Sequence, residues 1–294
     1  MKLGFIGLGI MGKPMSKNLI KAGHELIVFD IVREAVDEIA ALGAKAAASP
    51  ADVASQCDVI ITMLPNSPHV EAVALGENGI AHGAKPGTVL IDMSSIDPVA
   101  CRAIGAKLAE KGIELMDAPV SGGEPKAIDG TLSVMVGGNK DTYGKYYDLL
   151  MGMAASVVYV GDLGAGNVAK LANQMVVALN IAALSEAMTF SAKSGVSPEL
   201  VYQAIRGGLA GSVVMDAKAP KMLNRDFSPG FRVELHIKDL ANALNAANMV
   251  QASVPLTASA MEIMQSLKAY GFEMEDHSAM LRYYEKISNV TVEK

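Results

Sequence analysis

The first half of the chain alternates short apolar runs with longer segments of helical periodicity. Continuous apolar runs bounded by turn residues are typical of strands that are buried on both faces of a parallel sheet. The amphipathic segments between them predict the helices that cover such a sheet. The predicted strands are 3–6, 26–29, 59–62, 89–91 and 114–117, and the predicted helices include 13–21, 33–42 and 98–110.

The pattern becomes purely helical after Gly161. Two more predicted strands, 132–136 and 156–160, flank a helix at 141–151, and then Gly164 opens a stretch without proline or turn cluster before Ser194. This stretch predicts one helix of about thirty residues, far above the mean length of ~11–12. The later segments predict only helices, at 198–205, 236–249, 256–270 and 277–287. We therefore predict an α/β domain at 1–162 and an all-helical domain at 163–294.

Composition and charge narrow the class of protein. The chain has 294 residues, of which 51% are hydrophobic and 19% charged, and this supplies enough apolar surface for packed cores. The net charge is −6, and there is no block rich in Lys or Arg. Nucleic acid is therefore excluded as an expected partner, because phosphate binding needs a positive surface.

The cysteines and the long apolar stretch indicate the compartment. Cys57 and Cys101 have neither the spacing of metal ligands nor that of a disulfide framework. The longest apolar stretch contains Asn180, Ser185 and Glu186, so we expect a buried helix of a soluble protein rather than a membrane span. The expected location is the cytoplasm, without membrane attachment.

A glycine-rich turn follows the first strand and comes directly before the first helix. It reads Gly7-Leu8-Gly9-Ile10-Met11-Gly12. In this spacing the first glycine makes a tight turn, the second admits a pyrophosphate, and the third lets the helix pack on the strand. Phosphate groups then lie at the helix N-terminus, where free N–H groups and the helix dipole favour an anion. The segment predicts a dinucleotide site.

Asp30 ends the second predicted strand, where it bears on the choice of cofactor. A carboxylate there accepts hydrogen bonds from the adenosine ribose and repels a 2′-phosphate. The alternative is a helix N-cap, a position that Asp also favours. With Arg33 close in sequence, we expect NAD(H) to be preferred and NADP(H) to be the alternative cofactor.

Two other segments stand at the carboxyl ends of strands, where ligands of such sheets bind. Leu64, Pro65 and Asn66 follow the strand at 59–62, and Ser94 and Ser95 follow the strand at 89–91. The two serines have a second interpretation as caps of the helix that begins near 98.

A polar stripe follows one face of the predicted long helix. At 100° per residue its members fall within a sector of about 140°. Such a stripe either faces solvent or lines a cleft, and its amides favour the cleft, since Glu and Lys are better formers of solvated helices. A charged lysine is also a competent proton donor and attracts a carboxylate. The stripe consists of Asn167, Lys170, Asn173, Gln174 and Asn180.

Ser121, Gly122 and Gly123 follow a short strand-like run and form a second candidate anion site. Adjacent glycines let backbone N–H groups converge on an anion, and the serine hydroxyl adds a donor. An ordinary loop is the alternative. We predict no metal site, and we expect the histidines at 24, 69, 82 and 277 at the surface, with His236 near Lys238 as a candidate supporting residue.

Three motifs, in order and spread along the whole chain, resemble the 3-hydroxyisobutyrate dehydrogenase family of β-hydroxyacid dehydrogenases. The resemblance implies an α/β Rossmann N-terminal domain and an all-α C-terminal domain that mediates oligomerisation, joined by a long interdomain helix. Because an apolar long helix and a small helical domain leave surface to bury between subunits, we expect a homo-oligomer, either dimer or tetramer. The C-terminal domain would complete the active site. The motifs are Phe5-Ile6-Gly7-Leu8-Gly9-Ile10-Met11-Gly12, Asp117-Ala118-Pro119-Val120-Ser121-Gly122-Gly123 and Gly166-Asn167-Val168-Ala169-Lys170-Leu171-Ala172-Asn173-Gln174.

The resemblance also implies roles for individual residues. Lys170 would be the catalytic acid/base, Ser95 and Lys238 would contact the cofactor, and the substrate would be bound by Ser121, Gly122, Gly123 and Asn173. Family members often carry Asn at the position of Gln174, so its longer amide is a candidate contact only. Further runs beginning at Glu124, Ile205 and Leu235 resemble the branch that reduces tartronate semialdehyde to glycerate.

Two alternatives remain at this point. One is another small hydroxy or aldehyde acid, such as 3-hydroxyisobutyrate or 2-(hydroxymethyl)glutarate, as the substrate of the same enzyme class. The other is a protein that binds NAD(P) without catalysis and reports it to a partner. The second alternative gives no reason for a lysine with flanking amides.

Overall fold

A nine-stranded sheet forms the centre of the first half of the chain in this computed structural model, which describes residues 1–293. The strands between residues 1 and 161 are β1 (Lys2–Ile6), β2 (Glu25–Phe29), β3 (Lys45–Ala46), β4 (Val59–Thr62), β5 (Val89–Asp92), β6 (Glu114–Asp117), β7 (Val120–Ser121), β8 (Leu132–Gly137) and β9 (Ala154–Gly161). Every strand predicted from the apolar runs is confirmed, while β3 and β7 are additional.

The strand order is β3-β2-β1-β4-β5-β6-β8-β7, with β9 paired to β8. The pairings among β1 to β6 are all parallel, whereas β8 runs antiparallel to β6 and β7. The order reverses between β1 and β4, and ligands of doubly wound sheets bind at the carboxyl ends of the strands at this point.

Helices cover both faces of the sheet. Alternate side chains of β1 enter different cores, with Leu3 and Phe5 in one and Ile6 in the other. Burial on both faces explains why the strands read as continuous apolar runs. The helices are α1 (Gly12–Lys21), α2 (Arg33–Ala40), α3 (Pro50–Gln56), α4 (Ser67–Leu75), α5 (Ile80–Gly83), α6 (Pro98–Ala109), α7 (Gly123–Asp129) and α8 (Lys140–Met151).

The remainder of the described chain is helical, which confirms the predicted fold class. It begins with the long helix α9 (Ala165–Lys193), followed by α10 (Pro198–Ile205), α11 (Val213–Leu223), α12 (Val233–Met249), α13 (Pro255–Ala269), a 3₁₀ turn (His277–Ala279) and α14 (Met280–Ser288). The chain forms two compact units, Met1–Lys170 and Leu171–Lys294, so that α9 contributes residues to both. The predicted domain boundary at 162/163 stays a prediction.

α9 is long and apolar enough to cross a membrane by length and composition alone. However, Ala178, Ile181, Leu184 and Met188 lie in the hydrophobic core of the helical unit. A core helix of a soluble protein has the same length and composition, and packing in this core explains the apolar face that these residues form.

Candidate active site

The glycine-rich turn has the backbone geometry that a dinucleotide requires. Gly7 has a φ of +97°, and a Cβ atom there would lie 2.2 Å from the carbonyl oxygen of Met63. A Cβ atom at Gly12 would lie 1.8 Å from the carbonyl oxygen of Gly7, whereas one at Gly9 would meet no protein atom within 4 Å. Packing therefore requires the first and third glycines, and the second leaves an open backbone face that fits the approach of a pyrophosphate.

Asp30 lies beside this turn and holds it. Its Oδ2 accepts a hydrogen bond from Leu8 N at 2.6 Å, and its Oδ1 accepts one from Val32 N at 2.8 Å. The N-cap of α2 is Val32, so the alternative interpretation of Asp30 as a helix cap is wrong. Each carboxylate oxygen has a second lone pair for a ribose hydroxyl. A cleft of 660 Å³ runs along Gly9 and Asp30.

Three cations near this cleft are paired with carboxylates, and a fourth, Lys21, lines it. Lys13 and Lys17 contact Glu38 at 2.9 and 2.7 Å, and Arg33 contacts Asp37 at 2.9 Å. Hydrogen bonds from Lys17 and Lys13 lower the pKa of Glu38 to about 2. A 2′-phosphate at Asp30 would have to compete with these carboxylates for its counter-ions, an arrangement that favours NAD(H).

The loops that follow β4 and β5 are joined by a buried carboxylate. Asp92 Oδ1 accepts hydrogen bonds from Thr62 Oγ1 at 2.8 Å and from Ser94 Oγ at 2.5 Å. Ser94 Oγ in turn accepts a hydrogen bond from Leu64 N at 2.8 Å. Burial raises the pKa of Asp92 to about 6, against the opposing effect of its hydrogen bonds. Asp92 Oδ2 has no hydrogen-bond partner among the described residues.

Other residues at this edge start the next helices. Asn66 is the N-cap of α4, and its Oδ1 accepts a hydrogen bond from Ser67 N at 2.9 Å. The N-cap of α6 is Asp97, so the interpretation of Ser94 and Ser95 as its caps is wrong. Ser94 is fully buried and braces the loops, while Ser95 is half-buried.

Asp117, at the end of β6, anchors the first turn of α9. Its Oδ1 accepts a hydrogen bond from Gly164 N at 2.7 Å, and its Oδ2 accepts bonds from Asn167 N at 2.7 Å and from Asn167 Nδ2 at 3.2 Å. Asn167 Oδ1 accepts a further bond from Ile96 N at 2.9 Å. Burial raises the pKa of Asp117 although these donors oppose the shift. The helix turn that precedes Lys170 is therefore fixed to the sheet.

Burial excludes the solvated-face interpretation of the polar stripe. The exposed fraction is 0% for Asn167, 7% for Lys170 and 5% for Gln174, and Asn173 is half-buried. The fifth member, Asn180, donates a hydrogen bond to a carbonyl of its own helix. Of the other four, Asn167 is committed to Asp117 and to Ile96 N, so it fixes the helix instead of offering its side chain to a ligand.

The segment at 121–123 forms the passage from β7 to α7. Ser121 is half-buried and pairs with Ser133 of β8. Gly122 and Gly123 have φ values of +138° and +70°, and a Cβ atom at Gly122 would lie 2.7 Å from Lys126. These φ values favour glycine, so the sequence encodes this turn. Its successive backbone N–H groups can donate hydrogen bonds to an anion.

Within the second unit, one carboxylate connects two of the predicted site residues. Gln174 Nε2 donates a hydrogen bond to Asp239 Oδ2 at 2.6 Å, and Asn173 Nδ2 donates one to Gln174 Oε1 at 2.8 Å. Lys238 Nζ lies 2.9 Å from Asp239 Oδ1. The sequence indicated Asn173 and Lys238 but not Asp239.

A pair of buried histidines supports this region. His236 Nε2 lies 3.1 Å from the carbonyl oxygen of Gln174, and His277 Nδ1 lies 3.0 Å from His236 Nδ1. His277 is 5% exposed, so its expected position at the surface is wrong. The prediction failed because its partner is distant in sequence.

Comparisons with known proteins agree with this geometry. The NAD-binding domain of 6-phosphogluconate dehydrogenase matches residues 2–161, and the NAD-binding region of NADP-dependent 3-hydroxyisobutyrate dehydrogenase matches residues 164–284. The chain is 42% identical to 2-hydroxy-3-oxopropionate reductase of Escherichia coli K12, over 98% of this chain and 99% of the relative. It is 39% identical to 2-(hydroxymethyl)glutarate dehydrogenase of Eubacterium barkeri, over 99% and 97%.

A solved structure gives the same result. The structure of 3-hydroxyisobutyrate dehydrogenase from Mycobacterium tuberculosis with L-serine has a TM-score of 0.90 and 34% identity, over 96% of this chain and 98% of that one. A Streptomyces aurantiacus imine reductase, at 19% identity and a TM-score of 0.66, shares the fold alone. The matched regions agree with the expected use of NAD(H), with NADP(H) as the alternative.

Proposed function

Because the chain belongs to the 3-hydroxyisobutyrate dehydrogenase family, and is thus an NAD(P)-dependent dehydrogenase acting on a CH–OH group of a small substrate, we propose that it reduces tartronate semialdehyde (2-hydroxy-3-oxopropanoate) to glycerate. One observation carries the proposal of mechanism: Lys170 is buried on α9, directly after a helix turn fixed by Asp117 and one turn before Asn173. The similarity to the E. coli reductase supports the choice of substrate.

The side chains of this chain divide the remaining work. The nicotinamide cofactor, when held at the glycine-rich turn and Asp30, would supply the hydride for reduction and take it up in oxidation. As negative charge builds on the carbonyl oxygen, the ammonium group of Lys170 donates a proton to it; in oxidation the neutral amine accepts that proton. The hydroxyl of Ser121 and the N–H groups of Gly122 and Gly123 hold the carboxylate, and Asn173 orients the rest of the substrate.

A three-carbon substrate fits this set of groups. Tartronate semialdehyde offers one carboxylate, one hydroxyl and one aldehyde to one lysine, one serine, two glycine N–H groups and one asparagine amide. 2-(Hydroxymethyl)glutarate, the substrate in the name of the E. barkeri relative, has a second carboxylate and needs a second cationic partner. A protein that only senses NAD(P) has no use for a buried lysine beside amides.

The substrate is tested by steady-state kinetics on a panel, with NADH and NADPH in reduction and with NAD⁺ and NADP⁺ in oxidation. The panel contains tartronate semialdehyde, 3-hydroxyisobutyrate, 2-(hydroxymethyl)glutarate and L-serine. We expect kcat/KM for tartronate semialdehyde to exceed the kcat/KM of every other acid in the panel by at least about tenfold. This is the scale on which one polar contact discriminates substrates. A higher kcat/KM for another acid contradicts the substrate, and cofactor binding without turnover of any acid favours the sensing protein.

A further inference from the structure

We propose that Asp239 and Gln174 are positioning residues that fix the orientation of the Asn173 amide and thereby select substrates with a hydroxyl group next to the aldehyde carbon. The inference rests on the proposed function, in which Asn173 contacts the substrate. It adds two residues, one of them on α12, to the determinants of specificity.

The direction of the hydrogen bonds follows from which atoms can donate. An ionised carboxylate only accepts, so Asp239 must face the NH₂ group of Gln174, and the 2.6 Å distance from Nε2 to Oδ2 agrees. The carbonyl end of Gln174 is then turned the other way. Since Oε1 also only accepts, it requires the NH₂ group of Asn173, which lies 2.8 Å away.

The hydrogen-bonded chain Asp239–Gln174–Asn173, here called the relay, is held in place by its surroundings. Asp239 is 1% exposed and lies against the ammonium group of Lys238, while the backbone carbonyl of Gln174 lies 3.1 Å from His236 Nε2. A buried side chain with partners on several sides has little freedom to rotate. A flip of the Gln174 amide would place its NH₂ group against that of Asn173 and its carbonyl oxygen against a carboxylate.

The consequence is a defined acceptor on Asn173. With Nδ2 committed to Gln174, Asn173 Oδ1 points away from Gln174 and can accept a hydrogen bond from a substrate hydroxyl. A substrate that carries hydrogen or methyl at that carbon leaves this acceptor without a donor. Sites built to bond a hydroxyl discriminate strongly against analogues that lack it.

The test is the ratio of kcat/KM for tartronate semialdehyde to that for malonate semialdehyde, which lacks the hydroxyl, at saturating cofactor. In Asp239→Asn the residue at 239 can donate or accept, so the amide orientation is no longer fixed, and we expect the ratio to fall about tenfold, the scale of one hydrogen bond. The change should fall mainly on KM for tartronate semialdehyde, with kcat within about threefold of wild type.

A double variant shows whether the effect of Asp239→Asn comes from the lost orientation of the amides or from a loss of packing. In Asp239→Asn/Gln174→Glu the carboxylate moves to 174, where it accepts from both neighbours, so Asn173 keeps its orientation. We expect the ratio to return to within about threefold of wild type. Gln265→Glu, on the exposed face of α13, is the control for adding a carboxylate and should leave the ratio unchanged. The proposal is overturned if Asp239→Asn leaves the ratio of the two kcat/KM values unaltered. It is also overturned if the decreases in this ratio caused by the two single substitutions add up in the double variant.

Denaturant unfolding makes the test independent of the substrate. Gln174→Glu alone sets two carboxylates against each other, so its unfolding midpoint should fall, and the double variant should recover it. If the wild type reduces neither aldehyde acid, the proposed function fails, and the midpoints still decide the relay: a double variant less stable than both single variants overturns it.

Discussion

Lys170 is the residue on which the proposed chemistry depends. Removal of a general acid typically costs ~10²–10⁴-fold in rate, so we expect Lys170→Ala to lower kcat by at least about 100-fold. The dissociation constant of NADH, measured by fluorescence titration, should stay within about threefold, because the glycine turn and Asp30 are unaltered. Lys170→Arg should restore little activity, since a guanidinium group differs in shape and does not give up its proton.

Lys193→Ala is the matched control on the same helix. Its ammonium group is exposed and bonds to the backbone carbonyl of Ser288, so kcat should stay at the wild-type value. Near-normal turnover in Lys170→Ala would remove this lysine from the mechanism.

Asp30 should determine the choice of cofactor by charge. We expect the wild type to have a higher kcat/KM with NADH than with NADPH, because the carboxylate repels a 2′-phosphate and Lys13 and Lys17 are paired with Glu38. Asp30→Ser should lower the ratio of kcat/KM with NADH to kcat/KM with NADPH. Asp58→Ser, at an exposed site before β4, should leave this ratio unchanged. A wild type that uses NADPH more efficiently contradicts the role of Asp30.

Asp92 should make stability depend on pH in an unusual direction. Its pKa rises from 3.8 to about 6 on folding, so the folded state binds the proton more tightly. The resulting stabilisation is fully present below the unfolded pKa and is lost as the pH rises through about 6. At 1.36 kcal/mol per pKa unit, the loss is about 3 kcal/mol.

Denaturant unfolding of wild type and Asp92→Asn at a series of pH values measures this effect. The difference in unfolding free energy, wild type minus variant, should decrease by about 2 kcal/mol between about pH 4 and pH 7, because pH 4 already lies just above the unfolded pKa. A constant difference across this range would show that Asp92 has the same proton affinity in both states.

At the scale of elements, Asp117 links a strand to the helix that carries Lys170. Asp117→Asn puts an NH₂ group against one of the backbone donors of Gly164 and Asn167, and we expect a loss of about 3 kcal/mol in unfolding free energy. kcat should fall as well, because the first turn of α9 loses a fixed position. Asp58→Asn is the control, and equal stability of both variants would contradict the anchoring role.

The elements that could be predicted from sequence are those that burial makes conspicuous. The strands of the parallel sheet stand out because their apolar residues continue without interruption. The 29 residues of α9 stand out because no proline and no turn cluster interrupts them. The helices α3, α5 and α7 were missed because four to seven residues are too few to show a periodicity. The longer helices α4 and α11 were missed as well, and α11 contains Pro220, a residue that normally ends a helix. β3 and β7 have two residues each and exist only through their pairing with β2 and β8.

The same limit applies to the candidate site. The glycine turn is local in sequence and could be predicted, whereas the bond between Gln174 and Asp239 joins residues that only the fold brings together. Asp92 and Asp117 did have a signal, since each places a charge directly after a buried apolar run. A charged residue in that position needs a partner, and the sequence does not say which.

For the whole molecule, the exposed apolar residues of the helical unit predict self-association. Phe190 is 73% exposed, Val213 88%, Leu200 62% and Val176 59%. Large exposed apolar side chains on one unit are typical of surfaces that subunits bury, most often in symmetric oligomers. We therefore expect a dimer or a tetramer.

Light scattering after size-exclusion chromatography at micromolar concentration measures the mass directly. We expect two or four times the 30.7 kDa of the chain. Phe190→Glu should shift the mass toward the monomer, because a charge buried at an interface without a partner is costly. Leu42→Glu, an exposed apolar position in the first unit, should leave the mass unchanged. A monomeric wild type would mean that these apolar side chains serve some purpose other than assembly.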